Sequence, residues 1–453
     1  HLSTKRSDVK SDAEVKAVEK KIDNIGSVKN TEKSYAKITV AENAYNALSD
    51  DQKAEVSNYG ILKAAKDAYE AAKADNVDTS SYTITDSGNI SDELNWFVYD
   101  NGLLEISGSG SIPNYSTGSA PWYQYRDSIT SVLVRSSVAG IGSRAFYGCN
   151  KLTEITLPFV GASRDATGYS CSFGYIFDYS DYSYKESSYF DGDFAPGYGY
   201  KAGGTTTYGS PYYYSFSVPS SLKTVTITDA DQIGKGAFHQ CTNVSMIVLN
   251  DGITSIGDYA FYNCAIKDFS IPNTVETIGK YAFYQCDSLR EMFIPNSVKS
   301  IEPYTFYNCN GINKLAISEN VTSIGDHAFY GCSGLDNLII PNQTESIGSY
   351  AFSNCKGLKK INIPDSVTTM GKGAFSSDNN SMNISELHIG SGLKAIPEET
   401  FKNCNQLTSV IVPNTVERIG SRAFSDCNKL TEITLPFVGA SRDATGYSCS
   451  FGY

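Results

Sequence analysis

The 453-residue sequence has few of the features that mark membrane segments, nucleic-acid surfaces or catalytic centres. It contains 4 His, 4 Met and 2 Trp. It has no apolar run of the roughly 18 residues that a membrane-spanning helix needs, so membrane insertion is not expected. Lys and Arg number 37 against 49 Asp and Glu, which gives a net charge of −12. A nucleic-acid partner is not expected either, because phosphate binding requires a clustered basic surface.

The short motifs of common enzymes and metal sites are also missing. The sequence has no HExxH, no nucleophile elbow and no phosphate loop. It has no CxxC, and its four His are separated along the chain, which argues against a zinc site. Asp191-Gly192-Asp193 could contact Ca²⁺, but the segment lacks a ligand-rich loop. The expectation is a protein without catalytic residues, metal or cofactor.

What the sequence does contain is a tandem repeat of about 23 residues. Each unit has the pattern Ile-Gly-x-x-Ala-Phe-x-x-Cys, followed by x-x-Leu-x-x-Ile-x-Ile-Pro. Successive repeat Phe residues are 22, 23 or 26 positions apart, except for one gap of 92 after the first. Recurrence at such a period is typical of a solenoid. The repeat Phe residues are Phe146, Phe238, Phe261, Phe283, Phe306, Phe329, Phe352, Phe375, Phe401 and Phe424.

Each unit is predicted to form a β-strand and a turn. In the first unit Leu152, Ile155 and Leu157 alternate with other residues, which is the two-residue period of a half-buried strand. Pro158 then removes a backbone donor and ends the strand. Ordering one coil costs more conformational entropy than its few buried side chains offset, so the units must stack. The predicted fold is a β-rich solenoid of about ten coils with a small N-terminal α-helical module.

The repeat resembles the BspA-like leucine-rich-repeat family of bacterial surface proteins, over about residues 80–453. Residues 278–286 and 324–332 carry the motif in full. The resemblance implies a non-enzymatic protein that is extracellular, at the bacterial cell surface or secreted. It also implies adhesion to a host extracellular protein or glycoprotein of the matrix, mucin or immunoglobulin class. Two alternatives stay open, a structural spacer and an accessory region of a larger surface enzyme.

Three regions are predicted along the chain. Residues 1–78 are rich in Ala, Lys and Glu and should form helices, one of them starting at a capping box at Ser49. They resemble helical spacer modules of Gram-positive surface proteins; the alternative is that they pack on the first coil. Residues 79–135 are predicted to form the N-terminal β cap that a solenoid end needs. Residues 136–453 should form the leucine-rich-repeat solenoid, interrupted by a Tyr-rich insertion at 159–217.

The cysteines follow the repeat. Nine of the 11 Cys residues stand three positions after a repeat Phe. Stacked coils would place them in a column, where each acts as a small buried hydrophobic side chain. They are predicted to be buried and reduced, with neighbouring sulfurs stacked from coil to coil. Cys171 and Cys449 lie outside this pattern and are the better candidates for exposure.

The insertion is the first candidate binding site. Residues 169–216 contain 12 Tyr and 5 Phe among Ser and Gly. Antibody paratopes share this composition, because Tyr provides a large amphipathic contact area at low entropy cost. The alternative is an excursion that packs its aromatic residues on the flank of the solenoid. The predicted contacts are Tyr179, Tyr182, Tyr184, Tyr189, Tyr212 and Tyr213.

The outward side of the predicted strands is the second candidate. Outward residues should be polar, as Glu154 and Thr156 are in the first unit. An exposed apolar stripe on such a face usually marks a contact surface. The alternative is that a neighbouring segment covers the stripe. Four residues at predicted outward positions are apolar instead, namely Val248, Phe293, Ile339 and Ile411.

Overall fold

The computed structural model describes residues 2–177, 179–180, 215–216, 218–378, 382–441 and 443. The chain divides into two compact units, His1–Thr274 and Val275–Tyr453. The fold is a β-solenoid with about 11 turns of about 23 residues, and the first unit also carries a few N-terminal helices. The leucine-rich-repeat solenoid predicted from the repeat period is therefore confirmed.

Four α-helices stand at the start of the first unit, and three of them contribute to one hydrophobic core. They span Leu2–Asp23 (α1), Glu32–Asn46 (α2), Asp50–Glu55 (α3) and Tyr59–Ala74 (α4). The Ser49 hydroxyl accepts a hydrogen bond from the Gln52 N–H, and the Gln52 side chain accepts one from the Ser49 N–H, so the predicted capping box starts α3. The core is built by apolar residues of α1, α2 and α4 and of the connections between the helices. Its most buried members are Ile22, Ile25, Ala41, Leu62, Ala65 and Ala68.

The β-strands of the first unit begin at residue 84. They are β1 (Ile84–Asn89), β2 (Leu94–Tyr99), β3 (Leu103–Gly108), β4 (Gly110–Ile112), β5 (Ser131–Val134), β6 (Val138–Ile141), β7 (Glu154–Leu157), β8 (Tyr179–Ser180), β9 (Ser215–Phe216), β10 (Thr224–Ile227), β11 (Gln232–Ile233), β12 (Met246–Val248) and β13 (Ser255–Ile256). Seven of them form one sheet in the order β1-β2-β3-β5-β7-β10-β12. The pairs β1–β2 and β2–β3 are antiparallel, and the later pairs are parallel. The strands before the first repeat therefore continue directly into the sheet of the repeats.

The strand register in this sheet pairs buried residues of one strand with buried residues of the next. Val132 pairs with Ile155, Ile155 with Val225, and Val225 with Ile247, and all four are buried. Because each strand places its apolar residues on the same side, one interior layer runs through the sheet. A second, shorter ladder forms where β11 pairs in parallel with β13.

A column of aromatic rings fills the interior of the first unit. Phe238 and Phe261 stack at 5.4 Å with an interplanar angle of 6°. At the start of the column Trp122 lies 6.3 Å from Phe146, and its indole N–H donates to the Ala145 carbonyl at 2.9 Å. Trp122, 1% exposed, thus occupies the place of a repeat Phe and closes the column before the first repeat.

The 92-residue gap in the repeat is bridged by the start of the insertion. Phe177 lies 6.2 Å from Phe146, and Phe173 lies 5.2 Å from Phe238. The Phe146 N–H donates to the Ile176 carbonyl at 2.9 Å, and the Phe173 N–H donates to the Ala237 carbonyl at 2.7 Å. These are the bonds that successive repeat coils make elsewhere, as from the Phe238 N–H to the next coil. Residues 171–177 therefore provide a coil that the repeat motif does not reveal.

The second unit consists of repeat coils with parallel strand pairing. Its strands are β14 (Thr277–Ile278), β15 (Glu291–Ile294), β16 (Ser300–Ile301), β17 (Lys314–Ile317), β18 (Ser323–Ile324), β19 (Ser346–Ile347), β20 (Lys360–Ile363), β21 (Thr369–Met370), β22 (Glu386–Ile389), β23 (Ala395–Ile396), β24 (Ser409–Ile411), β25 (Arg418–Ile419) and β26 (Glu432–Thr434). Longer strands pair as β15–β17, β20–β22 and β24–β26, and short ones as β16-β18-β19-β21 and β23–β25. The repeat Phe rings from Phe283 to Phe424 stack at 5.1 to 5.9 Å.

Two of the strands expected from the repeat are not formed in the described part of the chain. Residues 268–270 make only an isolated bridge at Asp268, and residues 337–339 are outside any strand. At residues 337–339 the alternation of buried and exposed side chains persists, since Leu338 is 5% and Ile339 is 68% exposed, whereas Ser270 in the other segment is buried. The packing pattern of the repeat is thus kept at residues 337–339, although no ladder hydrogen bonds form there.

Candidate binding surfaces

The strand face is the outward side of the ladder strands. Its register is as predicted: in β20, Lys360 and Asn362 are exposed while Ile361 and Ile363 are buried. Of the four apolar residues assigned to this face, Ile339 and Ile411 are 68% and 70% exposed. Val248 and Phe293 are only 9% exposed, so the expectation of a four-residue exposed stripe is wrong for these two.

The burial of Val248 is explained by the helical region. Helix α4 packs against β10 and β12, and β12 contains Val248. The Val28 N–H donates to the Asp251 carboxylate at 2.9 Å, and the Asn273 amide donates to the Ile61 carbonyl at 3.3 Å. The helices are therefore docked on the strand face of the first unit, beyond its first coil. The alternative stated above, that a neighbouring segment covers the apolar stripe, therefore holds for Val248.

An acidic residue of α4 lies in this docked region. Burial raises the pKa of the Asp67 carboxyl above its ordinary value, and the opposing effects of Ser270 and Lys63 are smaller. Asp268 lies close enough to raise this pKa further. The docked surface therefore includes a carboxyl group that loses part of its hydration when the helices pack.

A buried ion pair attaches the end of the helical region to the neighbouring strands. Arg135 Nε donates to the Glu105 carboxylate at 2.8 Å, and the Tyr99 hydroxyl donates to the same carboxylate at 2.7 Å. Two further guanidinium nitrogens of Arg135 donate to the carbonyl oxygens of Asp75 and Val77, at 2.5 and 3.0 Å. Glu105 is 6% exposed. This cluster, here called the Glu105–Arg135 clasp, joins the residues after α4 to β3 and to the end of β5.

In the second unit the strand face combines charged residues with isolated apolar ones. The Lys314 ammonium lies 5.4 Å from the ring centroid of Phe293, within the range of a cation–π contact. Lys360 and Glu386, on the paired strands β20 and β22, form an ion pair at 2.8 Å. Polar surface around a few apolar anchors is the usual composition of protein-binding surfaces.

Most of the Tyr-rich insertion lies outside the described residues. The backbone of Tyr179 pairs antiparallel with Phe216 in the short β8–β9 ladder. The role of the six tyrosines as contacts stays a prediction. Those outside the described residues are Tyr182, Tyr184, Tyr189, Tyr212 and Tyr213.

The cysteine column is buried as predicted. Ten described Cys residues are free thiols, and all but the partly exposed Cys427 are buried. Cys171, expected to be exposed, is 7% exposed, because residues 171–177 form part of the interior coil. Burial raises the pKa of Cys241 and Cys332 to about 12. The thiolate is the reactive form, so these sulfurs have little chemical reactivity.

Histidines and carboxylates do not cluster as metal ligands in the described residues. No group of three or more His, Cys, Asp and Glu side chains there is placed to hold a metal ion. His239 stacks on Tyr262 at 4.8 Å, and burial lowers its pKa to about 4. None of the helices in the described ranges is long and apolar enough to cross a membrane.

One ordered surface was missed by the sequence reasoning. In consecutive coils of the second unit, the positions two before and one after the repeat Phe carry aromatic rings, and the rings stack into two columns. Neighbouring centroids are 4.7 to 5.1 Å apart in the first column and 4.7 Å apart in the second. The signal is present in the repeat alignment, as aromatic residues at two fixed offsets. These rings, here called the aromatic array, are Tyr281, Tyr304, His327 and Tyr350 in the first column and Tyr284, Tyr307 and Tyr330 in the second.

Comparison with known families identifies this arrangement of coils. A family model for the BspA type leucine-rich repeat region matches in six copies, over residues 119–187, 211–336 and 322–442. These ranges include more than half of the chain. The chain belongs to the BspA-type leucine-rich-repeat family. The resemblance seen in the repeat motif is confirmed, and a repeat-based role in protein interaction is what the BspA-type family suggests.

Several solved structures are similar to this BspA-type chain, although no functionally curated protein gives a significant match. A leucine-rich repeat protein from Bacteroides ovatus is 24% identical, with 77% of this chain and 88% of that chain covered and a TM-score of 0.39. A leucine-rich cell surface protein from Faecalibacterium prausnitzii is 19% identical, with 83% and 98% covered and a TM-score of 0.33. The pneumococcal vaccine antigen PcpA is 14% identical, with 78% and 99% covered and a TM-score of 0.33. At these identities the likeness concerns the fold alone.

Proposed function

We propose that this BspA-type chain is a non-enzymatic, extracellular binding protein of the bacterial cell surface or a secreted one. It captures or adheres to a host extracellular protein or glycoprotein of the matrix, mucin or immunoglobulin class. The contacts are assigned to the strand face of the second unit and to the Tyr-rich insertion. The observation that carries the proposal is the presence of strongly exposed Ile339 and Ile411, at 68% and 70%, on an ordered polar face.

The physical basis is that both exposed isoleucines lie on ordered backbone. The backbone at Ile411 is fixed by the β24–β26 ladder, and the segment around Ile339, which forms no ladder, is held by the buried Leu338 and Ile340, so binding orders few additional groups. Burying one isoleucine side chain contributes about 1.5–3 kcal/mol. The strand face around β10 and β12 is covered by α4, so the second unit offers the open strand face.

The strand-face part of the proposal is tested by capture from host extracellular extracts followed by variant binding. The captured protein is identified by mass spectrometry, purified, and its Kd measured against the wild type and Ile339→Ser/Ile411→Ser. The variant should bind about tenfold more weakly or worse, as expected for apolar anchors near the centre of an interface. Val40→Ser, at a 55% exposed position on α2, is the matched control and should bind like the wild type. Equal affinity of all three proteins would remove the strand face from the proposal.

The insertion is tested by a deletion that leaves the interior coil at residues 171–177 intact. Residues 181–213 are replaced by a short Gly-Ser bridge, which leaves Phe173 and Phe177 in the ring column. Loss of binding with an unchanged unfolding midpoint would assign contacts to the insertion. Binding that is unchanged in the deletion variant and lost in the isoleucine variant would place the site on the strand face alone.

A further inference from the structure

The aromatic array is a continuous surface of seven rings on the turn segments of the second unit. Within one coil the rings of the two columns are 5.7 to 5.8 Å apart and tilted by 41 to 46°. Between coils most rings are parallel to within 6°, with only the last step of the first column tilted by 31°. All seven side chains are half-buried. Ring faces are therefore largely used within the columns, and ring edges and hydroxyl groups are what remain for a ligand.

The first column occupies a backbone position that disfavours large side chains. Tyr281, Tyr304 and Tyr350 have φ of 59°, 61° and 55°, in the left-handed region. For bulky residues this conformation is an outlier, and glycine adopts it without steric cost. At the equivalent position of other coils the residue is Gly236 or Gly373, with φ of 65° and 62°, or a charged residue (Arg144, Glu399 or Arg422), with φ of 56° to 59°. The left-handed turn is therefore a feature of the repeat itself, and four consecutive coils of the second unit fill it with an aromatic ring.

Two hydroxyl groups of the array are available for a ligand. Those of Tyr304 and Tyr350 have no hydrogen-bond partner among the described residues. At the end of the second column the Tyr330 hydroxyl donates to Asp378 at 2.5 Å, and the Asn354 amide donates to the same carboxylate at 2.9 Å. In the described part of the chain, the array thus presents one unpaired hydroxyl within the first column, that of Tyr304, and one at the end of that column, that of Tyr350, with amide and carboxylate groups at the end of the second column.

The chemistry of these groups points to a class of ligand. Aromatic ring edges carry partial positive charge and phenolic hydroxyls donate hydrogen bonds, so the array favours a ligand rich in oxygen acceptors. The Lys372 ammonium near Tyr350 is already paired with Glu398 and Glu399. The exposed carboxylates of Asp326 and Asp378, and the net charge of −12, therefore disfavour an anionic ligand. A chain of neutral sugars supplies many oxygen acceptors without charge, and its repeating rings can follow groups that recur every 4.7 to 5.1 Å.

We propose that the aromatic array is a binding site for a neutral glycan. Ring edges and the hydroxyls of Tyr304 and Tyr350 contact successive sugars along the axis of the columns. Its residues are not among those assigned to the strand face or to the insertion, so it stands independently of the protein-binding surfaces proposed above. A free polysaccharide and the glycans of a glycoprotein offer the same chemistry.

The test uses the full chain and calorimetry with defined sugars. The probes are short neutral oligosaccharides of the cello, chito and N-acetyllactosamine types, their sialylated and sulfated N-acetyllactosamine counterparts, and desialylated mucin. We expect at least one neutral probe to bind the wild type, and binding to be about tenfold weaker in Tyr304→Phe/Tyr350→Phe, which keeps the rings and removes the hydroxyls. Binding of either kind of neutral probe supports the site. Binding of the free oligosaccharides points to a polysaccharide as the ligand, and binding of desialylated mucin alone points to the glycans of a glycoprotein.

Matched controls separate binding from stability. Tyr35→Phe removes a hydroxyl from a tyrosine that is 56% exposed on α2, and should bind like the wild type. The thermal midpoint of the double variant should stay at the wild-type value, because the phenylalanine rings still stack. Failure of every neutral probe, preference for the sialylated or sulfated forms, or equal binding by the double variant would overturn the proposal.

Discussion

Most repeat cysteines donate a hydrogen bond to the carbonyl of the repeat Phe in the preceding coil. The Cys309 thiol donates to the Phe283 carbonyl at 2.9 Å, and the Cys332 thiol donates to the Phe306 carbonyl at 3.2 Å. A larger side chain would separate the coils, and a smaller one would leave a carbonyl without its donor. The residue is selected for size and for a weak donor, which is why a thiol in this column does not imply a disulfide.

We expect one cysteine to react faster than the other described ones. Cys427 is partly exposed, and a hydrogen bond with Cys404 lowers its pKa, whereas burial raises the pKa of Cys149 to about 12. A maleimide reagent applied to the folded chain should therefore modify Cys427 first. Mass spectrometry of proteolytic peptides gives the order of labelling. Early labelling of Cys332 or Cys355 would contradict the buried column.

We expect His239 to make the stability of one coil sensitive to acid. Desolvation lowers its pKa from 6.5 to about 4, so folding favours the neutral ring. The stability that depends on the neutral form is fully present above pH 6.5 and is lost as the pH falls toward 4. Neighbouring coils carry Tyr262 and Tyr284 at the same position, which have no charge to gain in this range.

The expected effect of His239→Tyr is a flatter pH dependence. Between pH 7 and pH 5 the wild type should lose about 1–2 kcal/mol more unfolding free energy than the variant. Denaturant unfolding at both pH values measures the difference. His388→Gln, at an exposed position on β22, is the control and should behave like the wild type. A variant that loses as much stability as the wild type would show that His239 is not the acid-sensitive group.

At the scale of elements, the interior coil at residues 171–177 replaces a repeat without repeating its sequence. Phe173 and Phe177 are both fully buried and continue the ring column between Phe146 and Phe238. The Phe173 and Phe177 rings also contact each other at 5.3 Å. The solenoid therefore stays continuous within the first unit across the 92-residue gap.

We expect Phe177→Ala to be as destabilising as the loss of a repeat phenylalanine. Truncation of a buried Phe leaves a cavity and costs about 3–5 kcal/mol. Phe306→Ala, in the ring column of the second unit, provides the reference. Ile411→Ala, at a 70% exposed position, is the control and should change stability by about 0.5 kcal/mol or less. Chemical denaturation followed by circular dichroism measures all three, and a near-neutral Phe177→Ala would mean that the coil is not part of the core.

Features that depend on local sequence could be predicted, whereas features that depend on contacts between residues far apart in the sequence could not. The register of β20 could be predicted, because alternation of Ile361 and Ile363 with polar residues is local. The coil at Phe173 and Phe177 could not, because neither residue stands in the repeat motif. The burial of Val248 depends on α4, which lies far away in the sequence and carries no mark of its docking site.

At the scale of the whole molecule, the helices determine how much strand face is open. Helix α4 packs on β10 and β12, and the Glu105–Arg135 clasp fixes the residues that follow α4. A helical spacer would leave the strand face of the first unit free, whereas the docked helices cover the part around β10 and β12. The open strand face of the second unit and the aromatic array are ordered surfaces available to partners.

The clasp gives a prediction about this coverage. Arg135→Ala removes the partner of a buried carboxylate and two hydrogen bonds to the carbonyls of Asp75 and Val77, a change that typically costs about 3–5 kcal/mol. We expect hydrogen exchange to increase in α4 and in β10 and β12, with no change in the strands of the second unit. Glu105→Gln/Arg135→Met, which leaves no unpaired charge, should restore much of the protection. If exchange in α4 stays at the wild-type level in Arg135→Ala, packing on β10 and β12 alone holds the helices in place.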